Sequence, residues 1–249
     1  RFQSGSVISC RFLATPEHLF TGQSNSGGTA AYAAVWRLPG YQRWGEEIHF
    51  RGRIAQDGIP IAGPATTAVI DVATPERVET PTARVMPLSS VNDSSSASFS
   101  LNGVRHATMS PSGRHATLVR DEGAVEVFST SIGEDTPVAR IGSRESCEIL
   151  RATSHSARMV TLVVSTREEK LSLDFYAWSR NSSPTDAMPD AQFSLVDEQL
   201  EYAAFSISGN FAVVTTTALD RKKGKAHIFS IRAEPDAAKL TVSEVGVAE

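Results

Sequence analysis

Residues 106–119 read HATMSPSGRHATLV, two short runs of strand-forming residues joined by a turn of serine, proline and glycine. Residues 150–163 resemble this segment without a gap, and a third copy begins at Tyr202. Fainter copies lie at residues 12–20 and 54–62. Because a recurring segment reflects a recurring structural unit, the chain is predicted to contain five similar units.

The spacing of the copies indicates the size of each unit. The turns are 42, 55, 44 and 52 residues apart, with a mean of about 48. This length is enough for four short strands. The turns are centred on Pro16, Gly58, Gly113, Ala157 and Gly209.

A further strand follows each hairpin, as at residues 125–128, where apolar side chains alternate with a glutamate. One small sheet buries both of its faces only when neighbouring sheets stack on it, as propeller blades do. The predicted fold is therefore all-β, a β-propeller of four-stranded blades with five detectable units. The third strands are predicted to pack in the core, with at least one residue of each pair buried: Val127 and Phe128, Tyr176 and Trp178, Ile228 and Phe229.

The unit formed by residues 109–128 resembles a blade of the WD40 family, in which a serine-proline-x-glycine turn joins two strands and an acid-glycine turn leads to a third. The chain has no Trp-Asp pair at a strand end and no Gly-His pair before a blade. The resemblance is therefore to divergent blades, and the internal hydrogen-bonded tetrad of that family is not expected. A closed five-bladed ring and part of a seven-bladed ring both remain open. Residues 1–249 are predicted to form a single domain with a flexible serine-rich insertion at 89–100.

The first unit is similar in layout to the opening blade of Sec12/PREB-type propellers, which are exchange factors for a Sar-type small GTPase at the endoplasmic reticulum. The similar features are residues 12–13, the segment 19–22, a loop of small residues and the strand at 33–36. The resemblance implies a GTPase partner, a place on the cytosolic face of the endoplasmic reticulum, and partner contacts by the loop residues Ser24, Asn25, Ser26, Gly27 and Gly28.

The charge balance and cysteine content exclude several classes of protein. With 24 Lys and Arg against 28 Asp and Glu, the net charge is −4, so nucleic acid is not expected as the main partner. Two cysteines are too few for a disulfide-dense scaffold or a cysteine-only zinc site. The apolar runs are too short for a membrane span within this chain, and no signal-peptide pattern follows Arg1. An intracellular, cytoplasmic protein is expected.

No group of residues points to catalysis or to a cofactor. The six histidines are scattered over different units, and His115 and His155 are expected at the surface or at a sheet edge. Cys10 and Cys147, at the start of first strands, are expected to be small buried side chains. Residues 22–28 lack the Lys-Ser/Thr pair of a phosphate-binding loop and the Gly-x-Ser-x-Gly pattern of a serine hydrolase. We expect neither enzymatic activity nor a cofactor or metal.

A basic cluster between two strands of the last unit is the other candidate contact surface, on a predicted hairpin tip. A partner-binding tip and an ordinary solvated tip both fit this pattern. Its charged residues are Arg221, Lys222, Lys223 and Lys225.

Three functions are compared against these features. The first is a protein-interaction scaffold that acts as a subunit of a larger assembly, with other proteins as partners. The alternative is Sec12-like nucleotide exchange on a Sar-type small GTPase in vesicle transport. A propeller-shaped hydrolase would require carboxylates or histidines converging at a central channel, and nothing in the sequence places them there.

Overall fold

The computed structural model describes most of the chain. The described residues are 5–13, 17–25, 31–50, 53–54, 68–73, 82–87, 99–130, 136–142, 147–167, 170–178, 188–219, 223–234 and 239–248. Within these ranges every regular element is a β-strand. No helix among the described residues has the length and apolar character needed to cross a membrane.

The described strands form five four-stranded sheets, each antiparallel where its register is known. The first sheet contains β1 (Gly5–Phe12), β2 (His18–Asn25), β3 (Ala31–Arg37) and β4 (Gln42–Phe50). The second contains β5 (Arg53–Ile54), β6 (Ala68–Ala73), β7 (Thr82–Pro87) and β8 (Phe99–Asn102). The third contains β9 (Val104–Met109), β10 (His115–Arg120), β11 (Val125–Ser129) and β12 (Pro137–Ile141). The fourth contains β13 (Glu148–His155), β14 (Val160–Arg167), β15 (Lys170–Ala177) and β16 (Ala191–Leu195), and the fifth contains β17 (Glu198–Phe205), β18 (Phe211–Ala218), β19 (Gly224–Glu234) and β20 (Lys239–Ala248).

The chain divides into two compact units, residues 1–116 with 128–136 and residues 117–127 with 137–249. In the first unit, the first sheet buries Phe20 and residues 33–35. The indole Nε1 of Trp36 donates a 2.8 Å hydrogen bond to Thr21 Oγ1, which ties β3 to β2.

The core of the second unit lies where the fourth and fifth sheets pack against each other. Phe175 of β15 packs against Phe193 and Phe229, with ring centroids 6.0 and 5.6 Å away, and those two rings also contact each other at 4.9 Å. On its other face, the fourth sheet buries Val163 and Tyr176 against strand residues 119 and 125. The fourth sheet is therefore covered on both faces. At least one residue of each predicted third-strand pair is buried, as the sequence predicted: Val127, Phe128, Tyr176, Trp178 and Phe229.

The three most similar repeat copies place their turns between the first and second strands of their sheets, which confirms the predicted strand order. The Ser206 amide donates to the Phe211 carbonyl at 2.9 Å, and His155 and Val160 are partners at the corresponding place in the fourth sheet. The gapless alignment was nevertheless wrong by one residue. Trp178, which follows the third strand of the fourth sheet, donates from its amide to the Met159 carbonyl at 2.8 Å. Ile231, in the third strand of the fifth sheet, donates to the Asn210 carbonyl at the same distance. Met159 and Asn210 are therefore equivalent.

That one-residue shift makes Arg158, and not Ala157, the counterpart of Gly209. Side chains alternate along a strand, so a shift of one exchanges the two faces of every aligned strand. With the shift applied, Val164 corresponds to Thr215, and Phe175 corresponds to Ile228.

One further expectation requires correction, and another lies outside the described residues. Cys10 was expected to be buried, but it is exposed, as is Phe12 two residues along the same strand face. Among the described strands β1 pairs only with β2, so its side chains have cross-strand neighbours on one side instead of two. The predicted serine-rich insertion at 89–100 lies outside the described residues, apart from Phe99 and Ser100, which begin β8.

Candidate functional site

Two connections meet at one end of the fifth sheet. The turn between β16 and β17 contains Asp197, whose φ of 59° lies in the left-handed region that short polar residues tolerate in tight turns. The Leu219 amide donates to the Asp197 carbonyl at 3.1 Å, and the Ala218 amide donates to the Lys223 carbonyl at 2.9 Å. Backbone bonds therefore hold the β16–β17 turn beside the start of the β18–β19 loop.

These connections expose two aliphatic side chains next to opposite charges. Val196 is 55% exposed and Leu219 is 53% exposed. Asp197 and Lys223 are exposed beside them. We call these four residues the loop-end patch. An apolar patch rimmed by polar residues marks a protein-contact surface when it is part of a larger contiguous area.

A buried polar network begins one residue beyond the patch and joins all four strands of the fifth sheet. Glu198 Oε2 of β17 accepts hydrogen bonds from Thr216 Oγ1 at 2.5 Å and from His227 Nε2 at 2.7 Å. Its Oε1 accepts a bond from Lys225 Nζ at 2.8 Å. His227 Nδ1 is 2.8 Å from Oε1 of Glu244 on β20. The network fixes the first residue of β17, and with it the turn that carries the patch.

The electrostatics of the network favour an ionised Glu198. Burial by itself would raise the pKa of this carboxyl group, but hydrogen bonds from Lys225, Thr216 and His227 outweigh burial and lower the pKa below its usual value. The network already includes an ammonium group, which would repel a cation. Among the described residues, no three His, Cys, Asp or Glu side chains are placed to hold a metal ion.

No protein-family model matches this chain, and no curated protein matches it. Solved structures do. Hsv2 from Kluyveromyces lactis is 14% identical with a TM-score of 0.58, covering 100% of this chain and 75% of its own. The β-propeller domain of Cps50 (Swd1) from Myceliophteria thermophila is 11% identical with a TM-score of 0.63, and the match covers 99% of this chain and 73% of that domain's chain. The fold is that of a divergent WD40-like β-propeller.

A third similar structure shows that this propeller fold does not fix a function. Hydrazine synthase from Kuenenia stuttgartiensis is 11% identical with a TM-score of 0.56, covering 98% of this chain and 69% of its own. An enzyme thus has the same fold as the other two neighbours. Function has to be argued from the surfaces of this chain.

The propeller structure places the predicted contact residues in three ways. Ser24 and Asn25 are the last two residues of β2, and their side chains are not described. Ser26, Gly27 and Gly28 lie outside the described residues. Arg221 and Lys222 also lie outside the described residues. Lys223 belongs to the loop-end patch, whereas Lys225 lies inside β19, half-buried and bonded to Glu198, and not at the hairpin tip.

The expectation of a surface or edge position was wrong for His155. Its side chain is buried, its Nε2 is 3.0 Å from the Ile207 carbonyl oxygen, and its ring meets Phe205 edge-on. Arg158 bonds to Asn210 beside it. The turns of the fourth and fifth blades therefore contact each other, which encloses the imidazole. Burial lowers the pKa of His155; the contact with the Ile207 carbonyl opposes this effect and the charge of Arg158 adds to it.

Proposed function

We propose that this propeller is a non-catalytic subunit of a larger cytoplasmic assembly and binds another protein through the loop-end patch. The observation that carries the proposal is the exposure of Val196 and Leu219 on two connections that are bonded to each other. A partner gains free energy by covering these side chains, and the fixed backbone limits the entropy lost on binding.

The chemistry of the patch limits the kind of partner. Asp197 and Lys223 place one acid and one base beside the aliphatic side chains, so a partner surface with an apolar centre and charges of both signs fits it. Four residues are too few for a stable interface alone. The patch is therefore the centre of a larger contact or of a transient one.

The test is a double substitution, Val196→Glu with Leu219→Glu. We expect partner recovery from the native source to fall by at least about tenfold, with little change in the melting temperature, because both side chains are already exposed. The matched control is Val245→Glu with Val247→Glu, which changes two exposed valines of β20 outside the patch. Undiminished recovery by the patch variant, or equal losses in both variants, would contradict the proposal.

The alternative function is Sec12-like nucleotide exchange on a Sar-type small GTPase. It is supported by the layout of the first unit, whose strands β2 and β3 the structure places side by side in one sheet. The test measures nucleotide release from such a GTPase with the wild-type chain and with the triple variant Ser24→Ala, Asn25→Ala, Ser26→Ala. Faster release with the wild type only would support it, and no acceleration by either protein would exclude it.

A further inference from the structure

One histidine of the fifth sheet joins two acids that lie on different strands. The Nε2 atom of His227 on β19 is 2.7 Å from Oε2 of Glu198 on β17, and its Nδ1 atom is 2.8 Å from Oε1 of Glu244 on β20. The strands of this sheet follow the order β17, β18, β19, β20. A single imidazole ring therefore links the first strand of the sheet to the last, which are not neighbours.

The two contacts together indicate the protonation state of the ring. An ionised carboxylate only accepts hydrogen bonds, whereas a neutral imidazole has one N–H and one lone pair. A neutral ring can therefore donate to one of the two acids but not to both. The two short contacts fit an imidazolium, with a proton on each nitrogen. In that state Glu198 and Glu244 are balanced by two cations, His227 and Lys225.

The two acids differ in how readily each can leave the ring. The Glu198 side chain is only 7% exposed, and it also accepts bonds from Thr216 and Lys225. The Glu244 side chain is 36% exposed. Water can solvate Glu244 where it stands, but it cannot reach Glu198 in the same way. A ring with one proton therefore keeps that proton on Nε2 and gives up the contact with Glu244.

The surroundings of the ring decide which group responds to pH. Val214 of β18, opposite the ring, is uncharged, and Lys225 of β19 bonds to Glu198. The fourth sheet contributes apolar side chains to the core on this side: Leu171, Leu173, Phe193 and Leu195. Histidine is the side chain whose charge ordinarily changes between about pH 5 and about pH 8. The ring, and not the groups that face it, therefore responds to pH in this range.

The backbone of β20 is irregular at the place where the ring contacts it. Phe229 pairs with Glu244, and Ile228 pairs with Gly246. Val245 between them has no partner on β19, which makes a β-bulge. A bulge interrupts the ladder of backbone hydrogen bonds and turns the neighbouring side chains. A side-chain contact at this point therefore contributes more to holding β20 than it would beside a regular ladder.

We propose that His227 is a pH-sensitive clamp on β20. With both nitrogens protonated, the ring holds Glu244 and fastens the last strand of the sheet to the first. When the pH rises and the ring loses the proton on Nδ1, the Glu244 carboxylate turns to water and β20 loses this link. Glu198 keeps its bonds from Thr216 and Lys225 in both states, so the loop-end patch beside it stays in place. The clamp thus acts independently of the proposed function.

The experiment measures amide hydrogen exchange in the full chain between about pH 5 and about pH 8, with each rate divided by that of an unstructured peptide at the same pH. We expect the protection of β20 amides to fall by about tenfold as the pH rises, because one charge-assisted hydrogen bond is lost. The amides of β14, in the fourth sheet, are the internal reference and should not lose protection. Nitrogen NMR of the His227 ring should show two protons at the lower pH and a proton on Nε2 alone at the higher.

A substitution pair separates the clamp from a general effect of pH. In Glu244→Gln the carboxamide can accept from a protonated Nδ1 and donate to an unprotonated one, so β20 should keep the same protection throughout the range. The matched control is Glu201→Gln, which changes an acid of β17 that bonds to Thr217 and not to the ring, and it should retain the tenfold fall. A ring that keeps both protons at every pH, a wild type whose β20 protection is constant, or an equal fall in Glu244→Gln would overturn the proposal.

Discussion

The fourth and fifth sheets have the same strand order, and in each the last turn residue accepts a hydrogen bond from the end of the third strand; yet one sheet is buried on both faces and the other on one. β14 is buried along six consecutive residues, whereas burial along β18 alternates. The side chains follow this difference: Val164 and Phe175 of the fourth sheet correspond to Thr215 and Ile228 of the fifth. The strand order of a repeat can thus be kept while its turn geometry differs, with Met159 in the left-handed region of one turn and Gly209 in that of the other, and the residues on each face depend on what covers that face.

The largest difference between the two sheets is expected from truncating Phe175 and its counterpart Ile228. Phe175→Ala should lower the free energy of unfolding by about 3 to 5 kcal/mol, because the ring is fully buried and packs against two other aromatic rings. Ile228→Ala should cost only about 1 kcal/mol, since this residue is half-exposed. Chemical denaturation of both variants measures this difference, and similar losses would show that the two faces are equally buried.

A smaller loss is expected where the turns of the two sheets meet. Gly209 has a φ of 70°, and a Cβ there would overlap the His155 ring and the Arg158 side chain. Gly209→Ala should therefore lower the free energy of unfolding by roughly 2 to 3 kcal/mol. Gly246→Ala is the matched control, because its Cβ would meet no atom within 4 Å. A neutral Gly209→Ala variant in thermal unfolding would indicate that the two turns are apart.

The polar network of the fifth sheet is expected to contribute less to the free energy of unfolding than the contact between the two turns. Glu198→Gln removes a charge that accepts bonds from Thr216, Lys225 and His227, and should cost about 1 to 3 kcal/mol at pH 7. Because the pKa of Glu198 is lowered in the folded protein, its contribution is complete above about pH 4.5 and is lost as the pH falls through the folded pKa. The difference in free energy of unfolding between wild type and Glu198→Gln, measured by urea denaturation, should become smaller below pH 4.5. A gap independent of pH would contradict an ionised, hydrogen-bonded Glu198.

The smallest effect concerns His155. Its pKa is lowered from 6.5, so the folded protein favours the neutral ring, and stability is complete above pH 6.5 and decreases as the pH falls toward the folded pKa. Between pH 7 and pH 5.5 the wild type should lose more stability than a His155→Asn variant. Thermal unfolding at both pH values measures this difference, and an equal loss in both proteins would mean that the imidazole is not enclosed.

The fold followed from local patterns. The turn at residues 110–114 and its copies have sequences that form hairpins, and the alternating apolar residues predicted strands and their buried pairs. The register of the fourth sheet did not follow. Ser154, His155 and Ser156 resemble Ser110, Pro111 and Ser112, but the turn bonds make His155 the counterpart of Ser110. Sequence similarity cannot distinguish registers one residue apart when the turn residues are alike.

The candidate site was predicted only in part. The basic cluster includes Lys223, which lies in the loop-end patch, but the partners of Lys225 and His227 could not be found from nearby sequence. Glu198 lies 27 residues before Lys225 and 29 before His227, and only strand pairing brings them together. The sequence did contain a signal that could have been used. Lys225 and His227 are separated by one residue each from the next, so they share a strand face with Phe229, which is buried. Polar residues on a buried face require partners.

The comparison of the two sheets is tested most directly by cysteine labelling at equivalent positions. In a chain with Cys10 and Cys147 replaced by serine, one variant carries Val164→Cys and another Thr215→Cys. A thiol reagent should label the folded Thr215→Cys protein rapidly, whereas the Val164→Cys protein should react only as fast as it unfolds. Rapid labelling at both positions, or protection at both in the isolated chain, would contradict a propeller whose fifth sheet is open on one face.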